Sequence, residues 1–306
     1  MSDQQLDVLV FGSAIIDFIC YTPRLPRAGE TLHGHRFQQG YGGKGANQCV
    51  AAARLGSQTA LIAKLGDDSF GNDYRRQLQA EHIDVQHVQQ LAGQTTGIAQ
   101  IAVSDAGENN IIIVVGANNL LSVSDVSNAA EHFNRAKVLI CQLETPLEAT
   151  LFALRQFKGV SIVNAAPALA ETPTALLQQC SILCVNETEA ALMTGMSSID
   201  TVSDANNAIR RLIELGANTV IITLGKFGAV CGKKEEPEKF EHVTAPQVPD
   251  NLVVDTTGAG DAFIGALAHN LAKYPKNKLT QHIEAACKIA SKSVQLPGTQ
   301  ASFPHA

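Results

Sequence analysis

An alternation of two kinds of segment constrains this chain more than anything else in it. Short, unbroken apolar runs at 8–11, 59–64, 138–142, 161–164, 182–185 and 219–223 alternate with amphipathic stretches at 45–55, 70–80, 123–133, 147–157, 187–193 and 204–215. A strand that is apolar on both faces must be covered on both, and a helix between successive strands makes those strands parallel. The expected class is therefore α/β, a three-layer α/β/α arrangement with a mostly parallel central sheet. Such sheets bind ligands beyond the carboxyl ends of their strands, where the chain turns into helices. Asn164, Asn186 and Gly225 occupy such ends.

Two stretches depart from the alternation. Residues 22–41 are polar, carry Pro23, Pro26 and Gly29, and then alternate. Residues 97–115 read as a hairpin, with strands at 98–103 and 110–115 and the turn Ser104-Asp-Ala-Gly107. They predict a small β-sheet lid, contributed by about 14–42 and 96–116, on a single α/β domain spanning 1–306. The charge run Lys233-Lys-Glu-Glu-Pro-Glu-Lys239 reads as a solvated loop between strands.

Composition excludes several functions. A net charge of −6 over 306 residues, with basic residues scattered and Trp absent, argues against a nucleic-acid surface. No run reaches the ~18 apolar residues of a membrane span. The run at 8–20 is broken by Asp17 and preceded by no basic residue, so it reads as a buried strand and its turn rather than a signal peptide. Seven dispersed cysteines lack the spacing of a zinc site, and His33 and His35 lack a third ligand. Reduced core thiols point to a cytoplasmic protein, with the nucleus also compatible.

The chemistry lies in two glycine-rich segments. In Asp255-Thr-Thr-Gly-Ala-Gly-Asp261, followed by the helix-like run 262–272, the N–H groups of Gly258, Ala259 and Gly260 open a helix. Unpaired amides and the positive end of the helix dipole make an anion hole there. Asp261 lies in the same turn, placed to take a proton from a hydroxyl aimed at a phosphate. That combination reads as phosphoryl transfer. The second segment, Gly42-Gly-Lys-Gly-Ala-Asn-Gln48, opens another helix and lets backbone approach a small ligand closely, while Lys44 and Asn47 offer hydrogen bonds. It is neither a P-loop, which needs Gly-x4-Gly-Lys-Ser/Thr, nor a dinucleotide fingerprint, which needs the first strand–helix turn.

Weaker signals surround these two. Asp17 follows four small or apolar residues after the first strand and suits the vicinal hydroxyls of a sugar, or caps a helix or turn. Glu144 is similar. Asn186-Glu-Thr-Glu189 opens a helix as an ordinary cap or as the vicinity of a hydrated Mg2+, with Asn186 and Glu189 as donors. Thr223-Leu-Gly-Lys-Phe-Gly228 ends a strand in a turn into 229–232 that is compatible with nucleotide contact.

Taken together, these motifs resemble the ribokinase (PfkB) family of sugar kinases over nearly the whole chain. The resemblance implies ATP-dependent phosphorylation of the 5-hydroxyl of D-ribose, giving D-ribose 5-phosphate and ADP. Alternatives are another sugar or nucleoside as acceptor, or an inactive sugar-binding regulator. It implies sugar contacts from Asp17, Gly43, Lys44, Gly45, Ala46, Asn47 and Glu144, with Asp261 as catalytic base. It implies ATP contacts from Asn186, Thr223, Leu224, Gly225, Lys226, Phe227, Gly228, Gly260 and Cys287, with Mg2+. An activating monovalent cation, K+, is implied at Asp255, Thr257, Ser293, Leu296, Gly298 and Ser302. The chain departs from the family at Ile15, where some bacterial members carry Asn, and at Cys287, where a His is found. The open edges of the lid, together with the resemblance, imply a homodimer paired through the lids.

Overall fold

The computed structural model describes residues 5–306. Its larger sheet has nine strands: β1 (Leu6–Phe11), β4 (Thr59–Gly66), β5 (Val88–Leu91), β8 (Ala136–Cys141), β9 (Val160–Asn164), β10 (Ile182–Asn186), β11 (Thr219–Thr223), β12 (Ala229–Lys233) and β13 (Glu236–Val243). The spatial order is β13-β12-β11-β10-β9-β8-β1-β4-β5, parallel from β11 to β5 and antiparallel at β12 and β13. Alternation along each strand divides the core into two layers. Leu9, Phe11, Leu139, Val163, Leu183 and Val220 face one way, and Val8, Val10, Val138, Ile140, Ile162 and Ile221 the other.

The second of those layers is covered by α1 (Lys44–Arg54), α2 (Ser69–Ala80), α9 (Ala259–Lys273) and α10 (Leu279–Ser293). The first is covered by α3 (Val123–Asn128), α4 (Ala130–Arg135), α5 (Leu147–Gln156), α6 (Thr174–Gln179), α7 (Glu187–Thr194) and α8 (Val202–Glu214). The helix expected at 123–133 is thus two short ones meeting at Ala129. The charge run at 233–239 contributes only a two-residue turn, because Glu236 already pairs with Lys233 in the antiparallel ladder. None of the helices among the described residues is long and apolar enough to cross a membrane.

Four further strands form the lid: β2 (Ile15–Thr22), β3 (Arg36–Gly42), β6 (Gly97–Ser104) and β7 (Asn109–Val114), in the order β3-β2-β6-β7. β2 runs antiparallel to β3 and parallel to β6, so two remote parts of the chain make one sheet. Asp17 lies within β2, opposite Gly40 and Ala99, and not in a turn after the first strand. The mostly apolar run at 8–20 conceals the break at 12–14 that separates two strands belonging to different sheets.

At the opposite end of the larger sheet, β1 is clamped by charge. The Asp7 side chain, 4% exposed, accepts from Lys137 at 2.8 Å, Lys273 at 2.6 Å and the Gln58 N–H at 3.0 Å. One carboxylate thereby ties β1 to the first residues of β8 and the last turn of α9. Burial by itself would raise this carboxyl, but the hydrogen bonds from Lys137, Lys273 and Gln58 hold it below its ordinary value. A lowered carboxylate stabilises the fold above its unfolded pKa and ceases to do so as pH falls through its folded value. Asp7→Asn is therefore expected to cost about 2–3 kcal/mol at pH 7, with the gap closing below about pH 4. Urea unfolding across that range checks it, and a gap independent of pH rejects it.

Candidate active site

The chain starts in the middle of the larger sheet. From β1 it moves outward to β4 and β5, then returns to the other side of β1 and proceeds from β8 to β11. The reversal between β1 and β8 leaves a crevice at their carboxyl ends, where no crossover covers the sheet. Ser13, just past β1, donates its hydroxyl to Glu144 Oε2 just past β8, and the Lys44 N–H donates to the same oxygen at 2.9 Å. The first turn of α1 is thereby seated in the crevice. Gly45 permits this, since a Cβ there would stand 2.5 Å from Ser13 N.

The start of α9 enters the same crevice. Gly258 is its cap at φ 76°, in the left-handed region, and a Cβ there would meet Thr299 Cγ2 at 2.6 Å. Ala259 N–H closes a turn onto Thr256 O, whereas the N–H groups of Gly258, Gly260 and Asp261 have no acceptor among the described residues. A Cβ on Gly260 would meet nothing within 4 Å, so the space before these amides is open. Asp261, 8% exposed, accepts from Asn47 Nδ2 at 2.9 Å through Oδ2 and from Gln48 Nε2 at 2.8 Å through Oδ1. It lines a cleft of about 200 Å³ together with Lys44, Asn164, Asn186, Glu189, Thr223 and Gly260.

The lid supplies a second carboxylate. Asp17 packs against the Cα of Gly42, where a Cβ would lie 2.2 Å from Asp17 Oδ2. Burial pushes the Asp17 carboxyl up to about 7, and the charges of Glu144 and Asp261 add to the rise. Burial pulls the Lys44 ammonium the other way, but Asp261, Glu144 and Glu189 outweigh it and raise its value. Carboxylates thus surround one lysine, in a hollow with bare amides on one wall. That environment suits a ligand with hydroxyls to donate and an anionic group to place against α9.

The remaining expected residues are distributed around this centre. Asn186 caps α7 reciprocally with Glu189, each side-chain oxygen accepting the other's N–H at 2.8 Å. Both still line the cleft. Burial raises the Glu189 carboxyl, with Asn186 and Lys44 opposing. Leu224 is buried, Gly225–Phe227 form a single 3-10 turn, Lys226 and Phe227 are exposed, and Gly228 at φ 96° starts the hairpin into β12. Cys287 is buried in the same apolar layer as Phe263 and Ile283 and is not among the residues lining this cleft. Asp255 accepts from Thr257 N–H and Gly298 N–H, both at 2.9 Å, joining the loop before α9 to the segment containing Ser293, Leu296 and Ser302.

A family model described as pfkB family carbohydrate kinase matches residues 5–306. The chain belongs to that family. Among pfkB carbohydrate kinases it is 45% identical to the ribokinase of Mus musculus, over 97% of this chain and 92% of that protein. It is 38% identical to a deoxyribokinase of Salmonella typhi, over 98% and 96%. Among solved structures it is similar to the Arabidopsis thaliana ribokinase complexed with ribose and ATP, at 29% identity and a TM-score of 0.87, covering 99% of this chain and 96% of that one.

Several residues of the site escape a reading by motif. Gln48 was visible in the second glycine segment but had no assigned role, and Ser13, Gln142 and Gln300, whose Nε2 donates to Asn47 Oδ1 at 2.9 Å, belonged to no motif. Their signal was weak but present, because polar residues at the ends of apolar strands or within a largely apolar helix need partners. A test of the electrostatics follows from Asp17. Its carboxyl is raised, so its contribution to stability is present below the unfolded value near 4 and is lost as pH rises through about 7. Asp17→Asn should raise the melting temperature relative to the parent above pH 7 and have little effect near pH 4. Scanning calorimetry over that range decides it, and a benefit greatest at low pH would contradict the assignment.

Proposed function

We propose that this pfkB carbohydrate kinase is an ATP-dependent ribokinase, converting D-ribose and ATP to D-ribose 5-phosphate and ADP. The observation that carries this reading is Asp261, a buried carboxylate in the same helical turn as the unpaired amides of Gly258 and Gly260. Its support comes from the 45% identity to mouse ribokinase and from the likeness to the Arabidopsis ribokinase with ribose and ATP.

In this reading Asp17 and Glu144 accept hydrogen bonds from the sugar's hydroxyls, while the segment Gly43–Asn47 approaches its ring. The 5-hydroxyl faces Asp261. As its oxygen bonds to the γ-phosphorus and the bond from that phosphorus to the ADP oxygen breaks, the hydroxyl proton passes to Asp261. The N–H groups of Gly258, Gly260 and Asp261 receive the phosphoryl oxygens, and the charge of Lys44 draws anionic groups toward them. Thr223–Gly228 and Asn186 lie where a nucleotide would meet the strand ends. The lid excludes water from the transfer.

Glu189, a carboxylate raised by burial and lining the cleft, fits the vicinity of a divalent cation. When bound with ATP, Mg2+ neutralises phosphate charge. Asp255, tied to Gly298 N–H, would supply a carboxylate oxygen to a K+ held between the loop before α9 and the segment 293–302. Seven free cysteines, six of them buried, support a cytosolic setting.

The similarity to a deoxyribokinase favours 2-deoxyribose as the second reading. ADP release measured with ribose, 2-deoxyribose, fructose and adenosine separates them. Ribose is expected to lead in kcat/KM by at least about tenfold, the worth of one good hydrogen bond to its 2-hydroxyl. A lead for any other acceptor overturns the assignment. Asp261→Ala should retain ribose and ATP binding by calorimetry while kcat falls by about 10²–10⁴. Near-parental turnover would remove Asp261 from the role of base.

The lids also support a homodimer. β7 is an exposed edge strand, with Ile111, Ile112, Ile113 and Val114 between 47% and 69% exposed. An uncovered apolar edge of that kind invites pairing, and a twofold partner covers both copies at once. Light scattering at micromolar concentration is expected to give twice the chain mass of 32.4 kDa. A monomer unchanged by ribose would exclude pairing through the lids.

A further inference from the structure

Asp261 is hydrogen-bonded by a residue that does not line the cleft. Gln48 is 0% exposed and lies one turn into α1. Its Nε2 donates both hydrogens, to Asp261 Oδ1 at 2.8 Å and to Asn164 Oδ1 at 2.9 Å, and its Oε1 accepts from Gln142 Nε2 at 2.8 Å. A primary amide has two donors and one carbonyl oxygen, so these contacts leave its polarity no freedom. A flipped amide would place its oxygen against two acceptors and its NH2 against another NH2.

We propose that Gln48 is the positioning residue that fixes the carboxylate plane of Asp261 toward the acceptor hydroxyl, an inference that rests on Asp261 being the base. Aspartate in the first turn of a helix can rotate about two side-chain bonds, and proton transfer needs one carboxylate lone pair directed at the hydroxyl. Asn47 holds Oδ2 and Gln48 holds Oδ1, so both oxygens are constrained from the same helix. Asn47 lies in the segment expected to touch sugar. Gln48 is sealed behind it, so its effect falls on geometry and not on sugar affinity. Gln142 in turn holds the Gln48 amide, and a Cβ at Gly12 would lie 2.1 Å from Gln142 Oε1, so this neighbour is also confined.

The test uses the full chain with ribose and ATP, alongside Asp261→Ala. Gln48→Met keeps length and apolar bulk but removes both donors. Its kcat should fall about 10- to 100-fold, the cost of a misplaced base, with ribose KM changed less than about threefold. Gln48→Glu keeps the oxygen that accepts from Gln142 but sets a second carboxyl against Asp261. Only its protonated form can donate, so activity should be recovered in part toward low pH and lost toward high pH, a limb absent from the parent profile. Parental kcat in Gln48→Met, or a loss confined to KM, overturns the proposal. If Gln48→Met does not fold, an unaltered pH profile in Gln48→Glu overturns it instead. Asp261→Ala with near-parental turnover would defeat the base itself, whereas an inactive Asp261→Ala beside a normal Gln48→Met would defeat only the role of Gln48.

Discussion

Helices α1 and α9 touch at backbone distance, and the organisation of the site depends on that contact. A Cβ on Gly265 would lie 2.5 Å from Ala51 Cβ and 2.7 Å from Gln48 O, so only glycine lets the helices approach this closely. Each helix begins with a glycine-rich turn at the same crevice. Close packing brings the two turns side by side, although about 200 residues separate them in the chain, so that Asn47 and Gln48 of one reach Asp261 of the other. Separating the axes by a methyl group would stretch those bonds beyond useful length. Chemistry in the crevice is therefore set by packing in the layer beneath it.

Charge in the crevice is arranged for a ligand. Asp261, Glu144 and Glu189 act on a single lysine, and the Asp17 carboxyl is raised chiefly by its burial, with the charges of Glu144 and Asp261 adding to the rise. At the other end of the same sheet the balance is reversed, and Asp7 is satisfied by two lysines. The same side chain thus stabilises the fold at one pole and is held at a cost at the other. Uncompensated polar groups of this kind are tolerated where a substrate completes them.

Much of this arrangement was legible in the residues. The strand–helix alternation specified the layers, and the two glycine segments specified the helix openings, because both signals are local. The lid was legible as a hairpin at 97–115 and as a contribution from about 14–42, but β2 itself was read as the turn after the first strand, since only the short break at Gly12-Ser-Ala14 separates the two strands. Helix α10 went unread although Pro275 and Asn277 mark the turn before it, because its cap is Lys278 and not a serine, threonine, aspartate or asparagine, and α6 is only six residues long. Capping residues read correctly at Asn186, whose hydrogen bonds are to its own helix. Gln48 could not be read, because glutamine within a helix looks solvated until α9 covers it. Cys287, a position implied by resemblance alone, is a buried member of the layer under α9 and α10.

Asp17 belongs to the lid sheet and not to the sheet that carries Asp261. A lid that swung away could not leave this carboxylate behind, because β2 is paired along its whole length with β3 and β6. If Asp17 holds the sugar as proposed, guarding it and gripping it are one movement, and a lid that opened would carry this carboxylate away from its acceptor. Exposing Asp17 to water would also return its carboxyl, raised to about 7 by burial, toward the ordinary aspartate range, so opening near neutral pH would release a fraction of a proton and closing would take it up again.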